Sequence, residues 1–75
     1  MRFSPAELSV RMGDRTEFRN TDPVPHTATS SSGDPFDSGP LETGSSWSYT
    51  SVHAGSIAYH CTFHPTMTGV IEVKP

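Results

Sequence analysis

The residues of this chain best equipped for chemistry lie near its C-terminus, in the run Cys61-Thr62-Phe63-His64-Pro65-Thr66-Met67. A thiolate, an imidazole and a thioether recur there at every third position. Soft sulfur donors beside imidazole suit a copper ion that alternates between Cu(I) and Cu(II). Trigonal His₂Cys with a weak, long axial Met is a ligand set of electron-transfer copper sites. Zinc fits less well, because a thioether is not among its usual ligands. The loop supplies three of the four donors, so a second histidine must come from elsewhere.

Besides His64, the chain has His26, His53 and His60. His60 directly precedes Cys61. Neighbouring side chains in a strand point to opposite faces, which turns His60 away from a shared ion. His53 lies in the turn His53-Ala54-Gly55, where solvent is the expected environment. His26 follows Pro25 in a stretch stiffened by two prolines and enters a strand, so its orientation is held. It is the donor that this reading favours.

These donors need a scaffold that brings residues 26 and 61 together. Seventy-five residues, with 32% apolar content, give one domain, residues 1–75, with a thin core. A metal would help to staple it, and the single Cys excludes an intrachain disulfide. The formal charge of −3 without a basic cluster argues against nucleic-acid binding, and no apolar run approaches a membrane span. Seven Pro and six Gly among many Ser and Thr punctuate short alternating segments, the pattern of an all-β sandwich or barrel. Strands are expected over about Leu8–Met12 (Leu8, Val10 and Met12 sharing a face), Thr16–Asn20 with Phe18 inward, and His26–Thr29. A polar loop, Ser30–Gly39, is interrupted by Phe36. Further strands are expected around Trp47, Tyr49 and Ser51, around Ile57, Tyr59 and Cys61, and over Val70–Val73.

At this point the chain resembles the cupredoxins of the plastocyanin/amicyanin type, small Greek-key β-sandwiches that hold type 1 copper. The resemblance runs through Phe3-Ser4-Pro5-Ala6-Glu7-Leu8, Val10 and Gly13-Asp14. It continues at Asn20, Pro25-His26-Thr27, Asp37-Ser38-Gly39, Leu41 and Gly44. It ends in Tyr59-His60-Cys61-Thr62-Phe63-His64-Pro65-Thr66-Met67 with Gly69, Val70 and Val73. The short Cys-x₂-His-x₂-Met loop is similar to the amicyanin branch.

The resemblance implies that His26, Cys61 and His64 form the plane around one copper ion and that Met67 is axial. Asn20 would hold the loop bearing Cys61, and Thr27 would assist. Pro25, Phe63 and Pro65 would form an apolar rim at which a redox protein docks transiently near the edge of His64. The implied function is one-electron transfer in the periplasm or another extracytoplasmic space, without enzymatic activity. Copper delivery without redox turnover, or a copper domain cut from a larger protein, is the alternative. The resemblance is incomplete at the start, where the family's first strand is missing or reduced to Met1–Phe3. An open sheet edge is therefore expected, either pairing with a second copy or covered by the Ser30–Gly39 loop.

Overall fold

Alternation of side-chain character sets the strands. In β2 (Arg15–Arg19), Thr16 and Phe18 are buried between exposed Arg15, Glu17 and Arg19. In β5 (Gly55–His60) and β6 (Thr68–Lys74), the buried residues Ile57, Tyr59, Ile71 and Val73 alternate with more exposed neighbours. The remaining strands are β1 (Glu7–Arg11), β3 (Thr29–Ser32) and β4 (Ser46–Thr50). The computed structural model describes Arg2, Phe3 and residues 5–75. Ser4, in the opening stretch of the resemblance, and Met1, in the reduced first strand expected over Met1–Phe3, lie outside the described residues.

The strands form two layers. One sheet has the order β1-β6-β5-β3, and the other is the pair β2-β4. β1 runs parallel to β6 with Leu8 opposite Ile71, and β5 runs antiparallel to β6 with Ile57 opposite Ile71. β2 and β4 are antiparallel, with Phe18 opposite Trp47. Between the layers sits an aromatic core. Phe18 meets Tyr59 edge to face at 5.3 Å between centroids, and Phe36 lies 4.7 Å from Tyr49. Aromatic rings prefer such geometries and bury large areas. That compensates for the low apolar content.

Three local expectations change. The strand expected over His26–Thr29 begins only at Thr29. Upstream, the backbone is satisfied by a crossing segment instead of a sheet: His26 and Leu41 exchange N–H···O bonds of 3.1 and 2.7 Å, and the Ala28 N–H reaches Ser38 Oγ at 2.8 Å. Met12 does not share the inward face with Leu8 and Val10. It lies beyond the end of β1, 46% exposed, at the turn made by Gly13 with φ 93°. The stretch Ser30–Gly39 is only partly loop: its start belongs to β3, and Phe36 is buried in the core.

That stretch does not cover the open edge. It folds back on β3, where Ser30 N–H reaches Phe36 O at 2.9 Å and Thr29 bridges Asp37. Among the described residues, β2 pairs on one side only, as do β4, β1 and β3 at the other sheet edges. Beside β2 lies a cavity of about 200 Å³ whose walls include Phe3, Leu8, Phe18, Tyr59 and Met67. Charged Arg15, Glu17 and Arg19 stand along the strand, a common guard against unwanted edge pairing.

Candidate metal centre

β5 delivers Cys61, and the chain then loops through Met67 before re-entering the sheet at Thr68. Two backbone bonds close this loop: Cys61 N–H to Met67 O at 3.0 Å, and Met67 N–H to His64 O at 2.8 Å. His26 approaches from the segment that connects the two sheets. Cys61 Sγ lies 3.7 Å from His26 Nδ1 and 3.8 Å from His64 Nδ1. All three donor atoms lie within 4.8 Å of one another. A triangle of that size lets one ion touch all three at ordinary bond lengths of about 2.0–2.3 Å. Among the described residues it is the one such cluster of three. Cys61 and His26 are buried and His64 is half-buried.

The His26 ring is fixed from behind. Its Nε2 lies 2.8 Å from Asp22 Oδ2. A carboxylate there accepts a hydrogen bond from Nε2–H and so favours the tautomer whose Nδ1 lone pair faces Cys61, the familiar arrangement of a metal-binding histidine. Burial pulls the His26 pKa down, but hydrogen bonds to Cys61 and Asp22 outweigh it and leave the value above normal. Asp22 is itself held: its N–H donates to Asn20 Oδ1 at 2.8 Å, and its carbonyl accepts from Thr43 Oγ1 at 2.6 Å.

Asn20 works on a different loop from the one expected. Its Nδ2 donates to Val24 O at 2.8 Å and to Leu41 O at 2.7 Å. It therefore anchors the segment leading to His26, not the Cys61 loop. The reason is reach: Asn20 sits at the end of β2, where that segment departs. The Cys61 loop is held by Thr27. Its N–H donates to Cys61 Sγ at 3.4 Å, and its Oγ1 accepts the Thr62 N–H at 2.8 Å. Burial pushes the Cys61 thiol up, but the Thr27 N–H and the two imidazoles outweigh it and bring the pKa down to about 6. A thiol that ionises readily, facing two imidazole nitrogens, is donor chemistry that fits a copper ion.

Met67 is 4% exposed and borders the cavity together with His26. Pro25 and Pro65 are exposed nearby in sequence to the two histidines, and Phe63 is 50% exposed. His60 lies on the other face, with Nδ1 2.6 Å from Ser31 Oγ, as strand parity requires. His53 is in solvent at the opposite end of β5 and meets Asp34 Oδ2 at 2.9 Å. Sequence reasoning did not single out Asp22 and missed its bond to His26. The available signal was its place four residues before a histidine, in a proline-stiffened segment.

Comparison with known proteins points the same way. No family model matches the chain. Over 78 residues it is 32% identical to amicyanin from Paracoccus denitrificans, covering 99% of this chain and 60% of that protein. The chain thus spans less than two thirds of that relative. A purple cupredoxin from Nitrosopumilus maritimus superposes with a TM-score of 0.92 at 31% identity, over 97% of this chain and 82% of the other. A Cu(I) amicyanin structure gives 0.91 at 28% identity, over 99% and 74%. A copper-containing nitrite reductase from Thermus scotoductus gives 0.87 at 28% identity, but only 20% of its chain is covered. No helix among the described residues is long and apolar enough to cross a membrane.

Proposed function

The chain belongs to the cupredoxins, and from that premise we propose that residues 1–75 form a single domain that carries one electron at a time on one copper ion. The observation that supports this reading most is the triangle of His26 Nδ1, Cys61 Sγ and His64 Nδ1, all within 4.8 Å. Those three residues would hold the ion, with Met67 as a weaker fourth ligand from the same loop. Copper supplies the one-electron Cu(I)/Cu(II) couple. The protein's part is to keep the donors in place. Asp22 and Asn20 fix the His26 segment, Thr27 fixes the Cys61 loop, and the backbone bonds at Met67 fix its far end. Donors that move little between the two oxidation states keep the reorganisation accompanying transfer small.

The half-buried edge of His64 is the proposed port. Pro25, Phe63 and Pro65 form its apolar rim and fit a redox protein that docks briefly over a small area. The proposed setting is outside the cytoplasm. Four protein donors leave no position for a substrate, which supports a carrier and not an enzyme. For self-association we propose pairing through an open sheet edge, with the charge-lined edge of β2 disfavoured. Sedimentation that shows monomer at every concentration removes that option.

Titration with Cu(II) tests the main reading. An intense visible thiolate-to-copper charge-transfer band is expected, and Cys61→Ser abolishes it. A protein that stays colourless overturns the proposal. Copper delivery is the second reading. It is favoured by His64, which is half-buried where His26 is buried. Rapid surrender of Cu(I) to a chelator would select it over a carrier.

A further inference from the structure

The clamp on the Cys61 loop does not end at Thr27. Thr29 Oγ1 lies 3.1 Å from Thr27 Oγ1 and also 3.1 Å from Asp37 Oδ1, and is placed to donate to either. A hydroxyl has one proton, so Thr27 and Asp37 compete for it. The carboxylate is the stronger acceptor, since charge-assisted hydrogen bonds are about twice as strong as neutral ones. Asp37 is also held in place to receive it. Its Oδ1 accepts the Gly39 N–H at 2.9 Å, and its backbone bridges Thr29.

The competition matters because of what Thr27 Oγ1 does. That oxygen has two lone pairs and accepts the Thr62 N–H at 2.8 Å, one residue past Cys61. Thr62 Oγ1 lies 3.1 Å away and is the natural recipient of the Thr27 proton. If Thr29 donates to Thr27, both lone pairs are occupied and the Thr62 amide shares the oxygen with a second donor. If Thr29 turns to Asp37, the Thr62 amide has the oxygen to itself.

We propose that Asp37 is a positioning residue for the metal centre: by taking the Thr29 hydroxyl proton it reserves Thr27 Oγ1 for the Thr62 amide and so tightens the loop that carries Cys61. Asp37 touches none of the donors, and its influence passes through two side chains. The idea rests on the copper reading for its functional meaning, but the clamp itself is a property of the metal-free chain.

A double-mutant cycle on the full chain tests it. The variants are Asp37→Asn, Thr29→Val and the two combined, with Thr29→Ser as the variant that restores the hydroxyl. The first readout is hydrogen exchange of the Thr62 amide in metal-free protein, with the Ile71 amide in the core as the control for folding. Asp37→Asn keeps an oxygen acceptor and loses the charge. It is expected to speed Thr62 exchange roughly threefold, within the worth of a single neutral hydrogen bond, while Ile71 is unchanged. The same substitution made on Thr29→Val is expected to add nothing, and Thr29→Ser is expected to behave as wild type.

The second readout, on copper-loaded protein, is the position of the charge-transfer band, which should move with Asp37→Asn only when the Thr29 hydroxyl is present. An Asp37→Asn effect of equal size in both backgrounds, or none in the wild type, overturns the proposal. A chain that shows the coupled exchange but never colours with Cu(II) sinks the copper reading and leaves the clamp standing. A coloured chain with uncoupled exchange does the reverse.

Discussion

The two ends of β5 each hold a histidine bonded to an aspartate, and the two pairs are nearly identical in length. His26 Nε2 lies 2.8 Å from Asp22, and His53 Nδ1 lies 2.9 Å from Asp34. They differ in burial and in what the other ring nitrogen faces. The His26 side chain is 7% exposed and that of His53 is 73% exposed. The free nitrogen of His26 looks onto a thiol and a second imidazole, whereas His53 belongs to no such cluster. A His–carboxylate pair on a surface is worth little. The same pair turned inward decides which nitrogen keeps its lone pair and where that lone pair points. The chemistry comes from the neighbour on the far side of the ring, not from the pair.

The sharpest way to break this comparison is to remove each ring. His26→Ala should lose the charge-transfer band and bind copper more than roughly 100-fold more weakly, a loss greater than that of an outer hydrogen-bond partner. His53→Ala should leave the visible spectrum unchanged. Equal effects at both ends would end the argument. Next in size is the carboxylate. Asp22→Asn is expected to weaken copper binding about 10- to 100-fold, and Asp34→Asn is expected to leave affinity as it was, both measured by competition with a chelator.

The ends should also differ in how their stability responds to pH. In the metal-free protein the folded Cys61 pKa is depressed to about 6 from an ordinary 9.0. Its contribution to stability is therefore full above pH 9, fades on acidification and is gone below about 6. His26, raised above 6.5, acts oppositely and loses its contribution as pH climbs through its folded value. At the other end burial, then the neighbouring Asp34, raises Tyr49 above 10.0. Its contribution is full below pH 10 and is lost on further alkalinisation. Denaturant curves across this range on wild type and Cys61→Ser separate the terms, since the variant should lose the rise between pH 6 and 9. The smallest effect is Tyr49→Phe. It removes the 3.3 Å bond to Asp34 and should cost about 0.5–1.5 kcal/mol without altering the copper spectrum.

Much of this was legible in the sequence, because the signals are local. The spacing of Cys61, His64 and Met67 places three donors in one loop whatever the fold, and His60 was set aside by strand parity alone. Alternation around Phe18, Trp47 and Tyr49, and Ile57 and Tyr59, located the strands to within a residue or two. The failures share a cause. His26–Ala28 look like a strand, but their backbone partners are Leu41 and Ser38, and nothing local specifies pairing with a crossing loop. Asn20 was assigned to the wrong loop for the same reason.

The sequence by itself determined the kinds of donor, the short loop that groups three of them, and the all-β scaffold, since side-chain chemistry and period-two patterning act at short range. The tertiary structure alone set how His26, the donor the sequence favoured, meets Cys61 and His64, that Asp22 bonds its ring, and that Thr27 ties down the Cys61 loop. These depend on which distant backbones meet. A hydrogen bond formed across the sandwich leaves no periodic trace in the chain that makes it.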